Sequence, residues 1–267
     1  MVMKKSVPII FIIILFAGAA WYSFMKQPDP VSELPPPQIA PALPATEQQP
    51  PPEADDDVYA ETEPEPVTLP EPIPALAESD TEVTRALADM AGSEPLTQYL
   101  VRDQIISRLV ASIDSLTSRQ VPANINPIRP AGDKFIADAE GENLVLSARN
   151  FARYDGYIAL LQNMETDQML AFYDRYYPLF QQAWEQNGGA GSINDRLLEV
   201  IDNLIATPDV EGPVYLTKPE AVYVYEDPQL EAMTAGQKVL LRMGPANAAV
   251  VKQKLTELRA ELNPLGG

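Results

Sequence analysis

The stretch RNFARYDGY, residues 149–157, contains two arginines, one aspartate and three aromatic rings within nine positions. Arg149 and Arg153 could bind an anionic group, with Tyr154 and Tyr157 packed beside it. In a helical protein without such a site, the same mixture is typical of a corner between helices, where arginines pair with neighbouring carboxylates. The sequence favours the structural corner and leaves a ligand pocket as the alternative.

Two later helical segments carry further candidate side chains. Pro178 removes the helical hydrogen bond to the carbonyl of Asp174, and a carbonyl released in this way can bind a ligand. Asp195 and Glu199 are four residues apart on one helix face, with Arg196 beside them. Two carboxylates on one face can serve acid–base chemistry or hold a cation, although a solvated helix face is the commoner explanation.

Composition restricts the chemistry more than these motifs do. The 267-residue chain contains neither cysteine nor histidine, which excludes Ser-His-Asp hydrolases, Cys-His proteases and histidine-ligated zinc. Its formal charge is −19 and no cluster of lysine and arginine stands out, which argues against nucleic-acid binding. We therefore predict no catalytic residue, no cofactor and no metal, and a role other than catalysis is favoured.

The elements that must position the candidate side chains are mainly helical. Apolar residues at helical spacing and cap-forming residues predict an irregular α domain over residues 76–264, with about eight helices. Ten helix starts, including those of short helices, are predicted, with Ser79, Ser147, Asp155 and Asn194 as caps. The starts are Ser79, Ser93, Ile105, Ser147, Asp155, Thr166, Asn194, Asp227, Thr234 and Gly244. Ser79 and Glu82 match a capping box, and Pro178 should bend the helix that starts at Thr166.

One or two short β-hairpins are expected among these helices. Residues 134–146 predict the first hairpin, with a turn near Gly141 and with Phe135, Leu144 and Leu146 facing inward. Residues 214–216 and 222–225 predict a second, shorter one. The fold class is therefore mainly α with small β-hairpins.

Residues 7–24, VPIIFIIILFAGAAWYSF, carry no charge. As a helix they would span roughly 27 Å, enough for the hydrocarbon core of a bilayer. Lys4 and Lys5 precede the segment, so residues 1–6 are predicted to be cytoplasmic, residues 7–25 a transmembrane anchor and the rest periplasmic. The alternative is a signal peptide cleaved after the small residues 17–19, but the apolar run continues beyond them.

Residues 26–75 separate the anchor from the helical domain. Residues 28–75 contain fifteen prolines and eleven acidic residues, a composition that cannot bury enough apolar surface to fold. We predict a disordered linker that holds the domain away from the membrane, or a spacer whose length matters little.

The segments ARNFARYDGY, NDRLLEVIDNLIATP, EGPVYL and AGQKVLLRMGP, with ESDTEV before them, resemble a bacterial family known as a domain of unknown function, number 3014. The resemblance covers residues 76–262. It implies an envelope protein of Gram-negative bacteria with an N-terminal hydrophobic segment and a proline-rich linker. It implies no activity, cofactor or site residue.

Together these features predict an inner-membrane protein, spanning the bilayer once, whose periplasmic domain binds another envelope protein or serves as a scaffold. The acidic surface and the missing histidine and cysteine support this prediction. The alternative is a carboxylate-based hydrolase or binding protein for a cell-wall polymer, supported by the many carboxylates and aromatic rings. Two carboxyl groups about 5–10 Å apart across an aromatic-lined groove would favour that alternative.

Overall fold

The structure is a computed structural model, which describes residues 72–90, 100–122, 125–128, 134–219 and 222–262. The predicted cytoplasmic segment 1–6, the anchor 7–25, linker residues 26–71 and the helix start at Ser93 lie outside these residues. Within them, no helix is both long enough and apolar enough to cross a membrane.

Eight α-helices occur in the described parts of the chain, which confirms the predicted number. They are α1 (Asp80–Met90), α2 (Ile105–Ser115), α3 (Asp155–Asn163), α4 (Thr166–Gln186), α5 (Ile193–Ile205), α6 (Pro228–Ala232), α7 (Ala235–Arg242) and α8 (Pro245–Glu261). Short 3-10 helices span Leu76–Glu78 and Ala148–Tyr154. The latter runs directly into α3, so the predicted corner consists of a 3-10 helix followed by an α-helix.

Both predicted hairpins are present, and they join in one antiparallel sheet. The strands are β1 (Ala137–Glu140), β2 (Asn143–Leu146), β3 (Tyr215–Thr217) and β4 (Val224–Tyr225), in the order β1-β2-β3-β4. Leu144 pairs with Leu216 and Val145 with Tyr215, which connects the first hairpin to the second. Gly141 has a φ of 64° in the first turn, a conformation that glycine adopts without strain.

The described residues form two separate hydrophobic clusters. The larger one lies among the helices, and the predicted inward residues of α8, Val251, Leu255 and Leu258, are buried in it. The smaller one lies under the sheet around Leu216, Tyr225 and Leu230. The predicted inward residues of the first hairpin pack against this smaller cluster: Phe135, Leu144 and Leu146.

Three predicted helix starts are confirmed, each with a capping side chain. The Ser147 hydroxyl accepts a hydrogen bond from the Arg149 amide, and the Asp227 carboxylate accepts one from the Gln229 amide. Thr234 forms a full capping box with Gln237 at the start of α7. Each side chain satisfies a backbone N–H that has no partner inside its own helix.

Two other caps differ from the prediction. α5 begins at Ile193, and its cap is Ser192, whose hydroxyl accepts a hydrogen bond from the Asn194 amide at 3.0 Å. Asn194, predicted as the cap, therefore lies within the helix. α3 begins at Asp155 itself, because the helical backbone already continues from Tyr154, so Asp155 is a first-turn residue and not the cap.

The first helix is linked to the second through its first turn. The Asp80 carboxylate accepts hydrogen bonds from the amides of Gln104 and Ile105, both at 2.8 Å. It therefore caps α2 from a distant position in the chain. Glu82, predicted to complete a capping box with Ser79, instead accepts hydrogen bonds from Arg175 and Tyr176 of α4.

The longest helix, α4, continues on both sides of Pro178 and ends at Gln186. Its end is closed by Gly188, which has a φ of 83°, and by Gly189, which lies directly against the Trp184 ring. A Cβ atom at position 189 would approach that ring to 2.0 Å, so only glycine fits there.

Candidate functional site

The structure places the side chain of Arg149 at the hairpin. Its guanidinium contacts Asp138 of β1 at 2.6 Å and the Ser147 hydroxyl at 3.3 Å. The pKa of the Asp138 carboxyl is held below its usual value, chiefly by a hydrogen bond from Ser147 and secondly by the one from Arg149. Arg149 thus joins the 3-10 helix to the outer face of the sheet.

The two predicted tyrosines of the corner point the other way, into the protein. Tyr154 and Tyr157 are almost completely buried, and burial raises the pKa of Tyr154. Arg153 is half-buried, and its charge partly offsets that rise, as does the charge of Arg242. The structure therefore does not bring the four predicted residues together around one opening.

A buried amide, absent from the predicted site, orders this corner. Asn150 is fully buried, and its carbonyl accepts from the Ile136 amide at 2.9 Å. Its NH₂ group donates to the Ile136 carbonyl at 2.6 Å and to the Ser147 carbonyl at 2.9 Å. Asn150 therefore clamps the 3-10 helix to the residue that precedes β1.

Arg196 connects two helices. Its guanidinium contacts the Asp114 carboxylate at 2.7 Å, the Asp114 carbonyl at 2.8 Å and the Thr117 hydroxyl at 2.6 Å. It also pairs with Glu199 at 2.6 Å. Burial alone would lower the pKa of Arg196, but the bonds to Glu199 and Asp114 outweigh it and raise that pKa. The network joins the end of α2 to α5.

Asp174 and Asp195 are both exposed, on α4 and on the first turn of α5 respectively. Both lie near the buried Tyr173. Burial is the largest cause of the raised pKa of Tyr173, and the charges of Tyr177, Asp174 and Asp195 add to it. Asp195 and Glu199, the predicted carboxylate pair, differ in their surroundings, because Glu199 is paired with Arg196. Asp174, predicted for its released backbone carbonyl, shares the neighbourhood of Tyr173 with Asp195.

An open depression lies where the sheet meets α6. We call it the Tyr215 depression, and its volume is about 530 Å³. Tyr215 is one of the two most exposed large hydrophobic side chains in the described parts of the chain, at 37% exposure. The exposed carboxylates of Glu226 and Asp227 stand beside it. The depression is lined by Asn143, Val210, Pro213, Val214, Tyr215, Glu226, Asp227 and Leu230.

A second cavity, of about 340 Å³, lies between the sheet and the last two helices. Its walls come from three segments, within residues 146–151, 207–214 and 240–252, and we call it the junction cavity. Leu240 and Ala248 belong to the helical cluster, whereas Leu146 and Val214 pack against the sheet cluster. The cavity therefore follows the boundary between the two hydrophobic clusters.

The junction cavity is lined by one basic side chain, Lys252 of α8. Its ammonium donates to the Thr207 carbonyl at 2.6 Å and to the Asp209 carboxylate at 2.7 Å. The Lys252 side chain is 18% exposed, whereas that of Asp209 is 85% exposed. Asp209 is the other charged residue of the lining.

A mostly buried polar cluster lies under the sheet. Lys238 pairs with Glu231 at 2.5 Å, and the other Glu231 oxygen accepts from the Tyr225 amide at 2.9 Å. Arg242 lies 5.9 Å from the centre of the Tyr225 ring. Burial raises the pKa of the Tyr225 phenol. These contacts anchor α6 and α7 to β4.

Neither cavity follows from the sequence motifs, because each is built from segments that are far apart in the chain. The only local indication nearby is that Pro208, Gly212 and Pro213, which interrupt helices and strands, predict a loop between α5 and β3. No group of three or more carboxylates within the described ranges is arranged to hold a metal ion.

The fold and these surfaces define an acidic, mainly helical domain with a small antiparallel sheet and two cavities beside one loop. The chain belongs to the family described as Protein of unknown function (DUF3014), whose family model matches residues 105–259. The resemblance noted from the sequence is thereby confirmed. No curated protein and no solved structure matches the chain.

Proposed function

We propose that this chain is a membrane-tethered periplasmic domain that binds another protein of the bacterial cell envelope. The observation that carries the proposal is the Tyr215 depression, a concave surface where an exposed aromatic ring stands beside apolar walls and two carboxylates. Residues 7–25 supply the anchor and residues 26–75 the linker, as their sequence predicts.

The composition of the depression suits a protein partner. Tyrosine side chains contribute strongly to protein interfaces, because a large ring buries much area while losing few rotatable bonds. Glu226 and Asp227 form no salt bridge in the described part of the chain, so both can pair with lysine or arginine of a partner. The excess of acidic residues would also speed association with a basic surface.

The alternative, a carboxylate-based protein for a wall polymer, has less support in the geometry. The predicted carboxylate pair Asp195 and Glu199 does not line the Tyr215 depression or the junction cavity, and neither does Asp174. The two carboxylates that line the depression, Glu226 and Asp227, are adjacent in the chain, and Asp227 caps α6. A direct test is whether the purified protein sediments with, or cleaves, purified peptidoglycan. Sedimentation or cleavage that is lost on combining Asp195→Asn with Glu199→Gln would favour this alternative.

The proposed interface can be tested by site-specific photocrosslinking in living cells. A photoreactive phenylalanine replaces Tyr215 in the full chain, and a matched chain carries it at Gln162, an exposed position of α3. We expect a discrete crosslinked product with one envelope protein from position 215 and none from position 162. Equal background at the two positions would overturn the proposal.

The predicted topology has its own test. A reporter enzyme that is active only in the periplasm is fused after Gly267, and in a second fusion residues 1–25 are deleted. We expect activity from the first fusion and none from the second. Activity of a cytosol-specific reporter at the same position would contradict the periplasmic location, whatever the crosslinking shows.

A further inference from the structure

We infer that the junction cavity is a binding site for a small amphiphile, with the aliphatic chain in the cavity and an anionic head on Lys252. This goes beyond the proposed protein interaction. The cavity volume of about 340 Å³ falls within the range of about 300–1,000 Å³ typical of small-molecule sites.

The walls favour an aliphatic body. They are made by side chains such as Leu146, Phe151 and Leu240, together with Pro213 and Pro245. The cavity also follows the boundary between two hydrophobic clusters, where apolar groups on both sides contact each other incompletely. An aliphatic chain there would gain dispersion contacts with both clusters and leave water.

Lys252 supplies the charge that selects the head group. Its side chain is mostly buried along α8, and its ammonium is directed to the loop by the Thr207 carbonyl. The present partner, Asp209, is 85% exposed and lies on that loop. An incoming anion can therefore replace Asp209 at the ammonium, while the displaced carboxylate returns to water at little cost.

The arrangement also discriminates against other head groups. A cationic head would be repelled by Lys252 and would have to pair with Asp209, whose 85% exposure makes such a pair weak. A neutral hydroxyl would replace the ion pair at Lys252 with a weaker hydrogen bond. Carboxylates and phosphate monoesters both satisfy the requirement. The ligand is therefore an aliphatic chain with an anionic head, and competition experiments distinguish a carboxylate head from a phosphate head.

The test uses the full chain in lipid nanodiscs and three photoreactive probes of equal length. Each probe carries a diazirine in an eight-carbon chain and ends in a carboxylate, a hydroxyl or an amine. Labelled peptides are identified by mass spectrometry, which separates labelling of the cavity from partition into lipid. Unlabelled octanoate and octyl phosphate compete in parallel.

We expect the carboxylate probe to label peptides containing residues 207–214 or 240–252, in preference to the other two probes. Lys252→Gln should weaken this labelling roughly tenfold or more, the effect of losing a charge-assisted hydrogen bond. Lys252→Arg should restore it. Lys254→Gln is the matched control, because Lys254 pairs with Glu257 on the same helix and does not line the cavity.

A variant that fills the cavity gives a second, independent test in case Lys252→Gln unfolds. Val210→Trp adds bulk from a half-buried loop position and should abolish labelling by every probe, with circular dichroism showing that the variant is folded. Equal labelling by the carboxylate and amine probes, or labelling that Lys252→Gln and Val210→Trp leave intact, would overturn the inference.

Discussion

Replacing Asn150 with alanine removes the clamp between the 3-10 helix and the hairpin. The wild-type amide is fully buried and makes three hydrogen bonds, of 2.6 Å and twice 2.9 Å, to Ile136 and Ser147. Two of the three partners keep another bond: the Ile136 carbonyl still accepts from the Ser147 amide, and the Ser147 carbonyl from the backbone amide of residue 150. The Ile136 amide loses its acceptor.

The expected loss of stability follows from these contacts. Three hydrogen bonds contribute about 0.5–1.5 kcal/mol each, and an orphaned, partly buried N–H costs about 1–3 kcal/mol. Because two of the acceptors stay satisfied, we expect the total to fall near 2–4 kcal/mol for Asn150→Ala. That is a large fraction of the stability of an ordinary domain.

Asn150→Asp tests the same contacts with an isosteric side chain. Its carboxylate can still accept from the Ile136 amide but is repelled by the Ile136 and Ser147 carbonyls. Burial and this repulsion raise the pKa of the new carboxyl in the folded state. Relative to wild type, Asn150→Asp should therefore be least destabilised below the unfolded pKa of about 3.9, and its deficit should grow as pH rises through the folded pKa.

The measurement is urea unfolding at several pH values, with the free energy of unfolding extrapolated to water. Asn163→Ala, at an exposed position of α3, is the control and should change stability by less than about 0.5 kcal/mol. Hydrogen exchange of the Ile136 backbone amide with solvent should be faster in Asn150→Ala than in wild type. If Asn150→Ala loses less than about 1 kcal/mol of unfolding free energy and hydrogen exchange at Ile136 is unchanged, Asn150 does not hold the two segments together.

Two further perturbations probe the helical core. Gly244→Ala should lower the free energy of unfolding in urea by about 2–4 kcal/mol, because Gly244 has a φ of 83° and a Cβ there would meet the Phe151 ring at 2.6 Å. Gly212→Ala is the control, because Gly212 has a φ of 84° with open space around it, and its loss of stability should be clearly smaller. Equal losses in the two variants would contradict the packing argument. Glu82→Gln tests the bond to Arg175, which holds the pKa of Glu82 below its usual value. The stability difference between wild type and Glu82→Gln should be present above pH 4.5 and shrink as pH falls below it, and a difference independent of pH would refute the assignment.

Much of the fold could be predicted because its signals are local. The inward residues of α8 recur at helical spacing, and Thr234 with Gln237 is a capping signal within four residues. The cap of α5 differs from the predicted one because two residues with cap-forming side chains, Ser192 and Asn194, lie two positions apart. The backbone conformation that decides between them is set by the preceding loop.

The contacts that make the site could not be predicted because they join distant segments. β2 and β3 pair across about seventy residues, and no local pattern distinguishes two separate hairpins from one sheet. Asp80 caps α2 from the first turn of α1, although its own sequence context is that of a helix start. The sequence predicts that Arg149 pairs with a carboxylate or binds an anion, but which partners Arg149 and Arg196 have, Asp138 and Asp114, depends on tertiary packing.

Both cavities depend on the loop between α5 and β3. Val210, Pro213 and Val214 line the Tyr215 depression and the junction cavity alike, so the loop forms a wall between them. A substitution in this wall changes both surfaces together. Tyr215 and Lys252 each line one cavity only, so substitutions at these two positions separate protein binding from amphiphile binding. If an amphiphile displaces Asp209 from Lys252, the same loop is the element through which its binding would alter the Tyr215 depression.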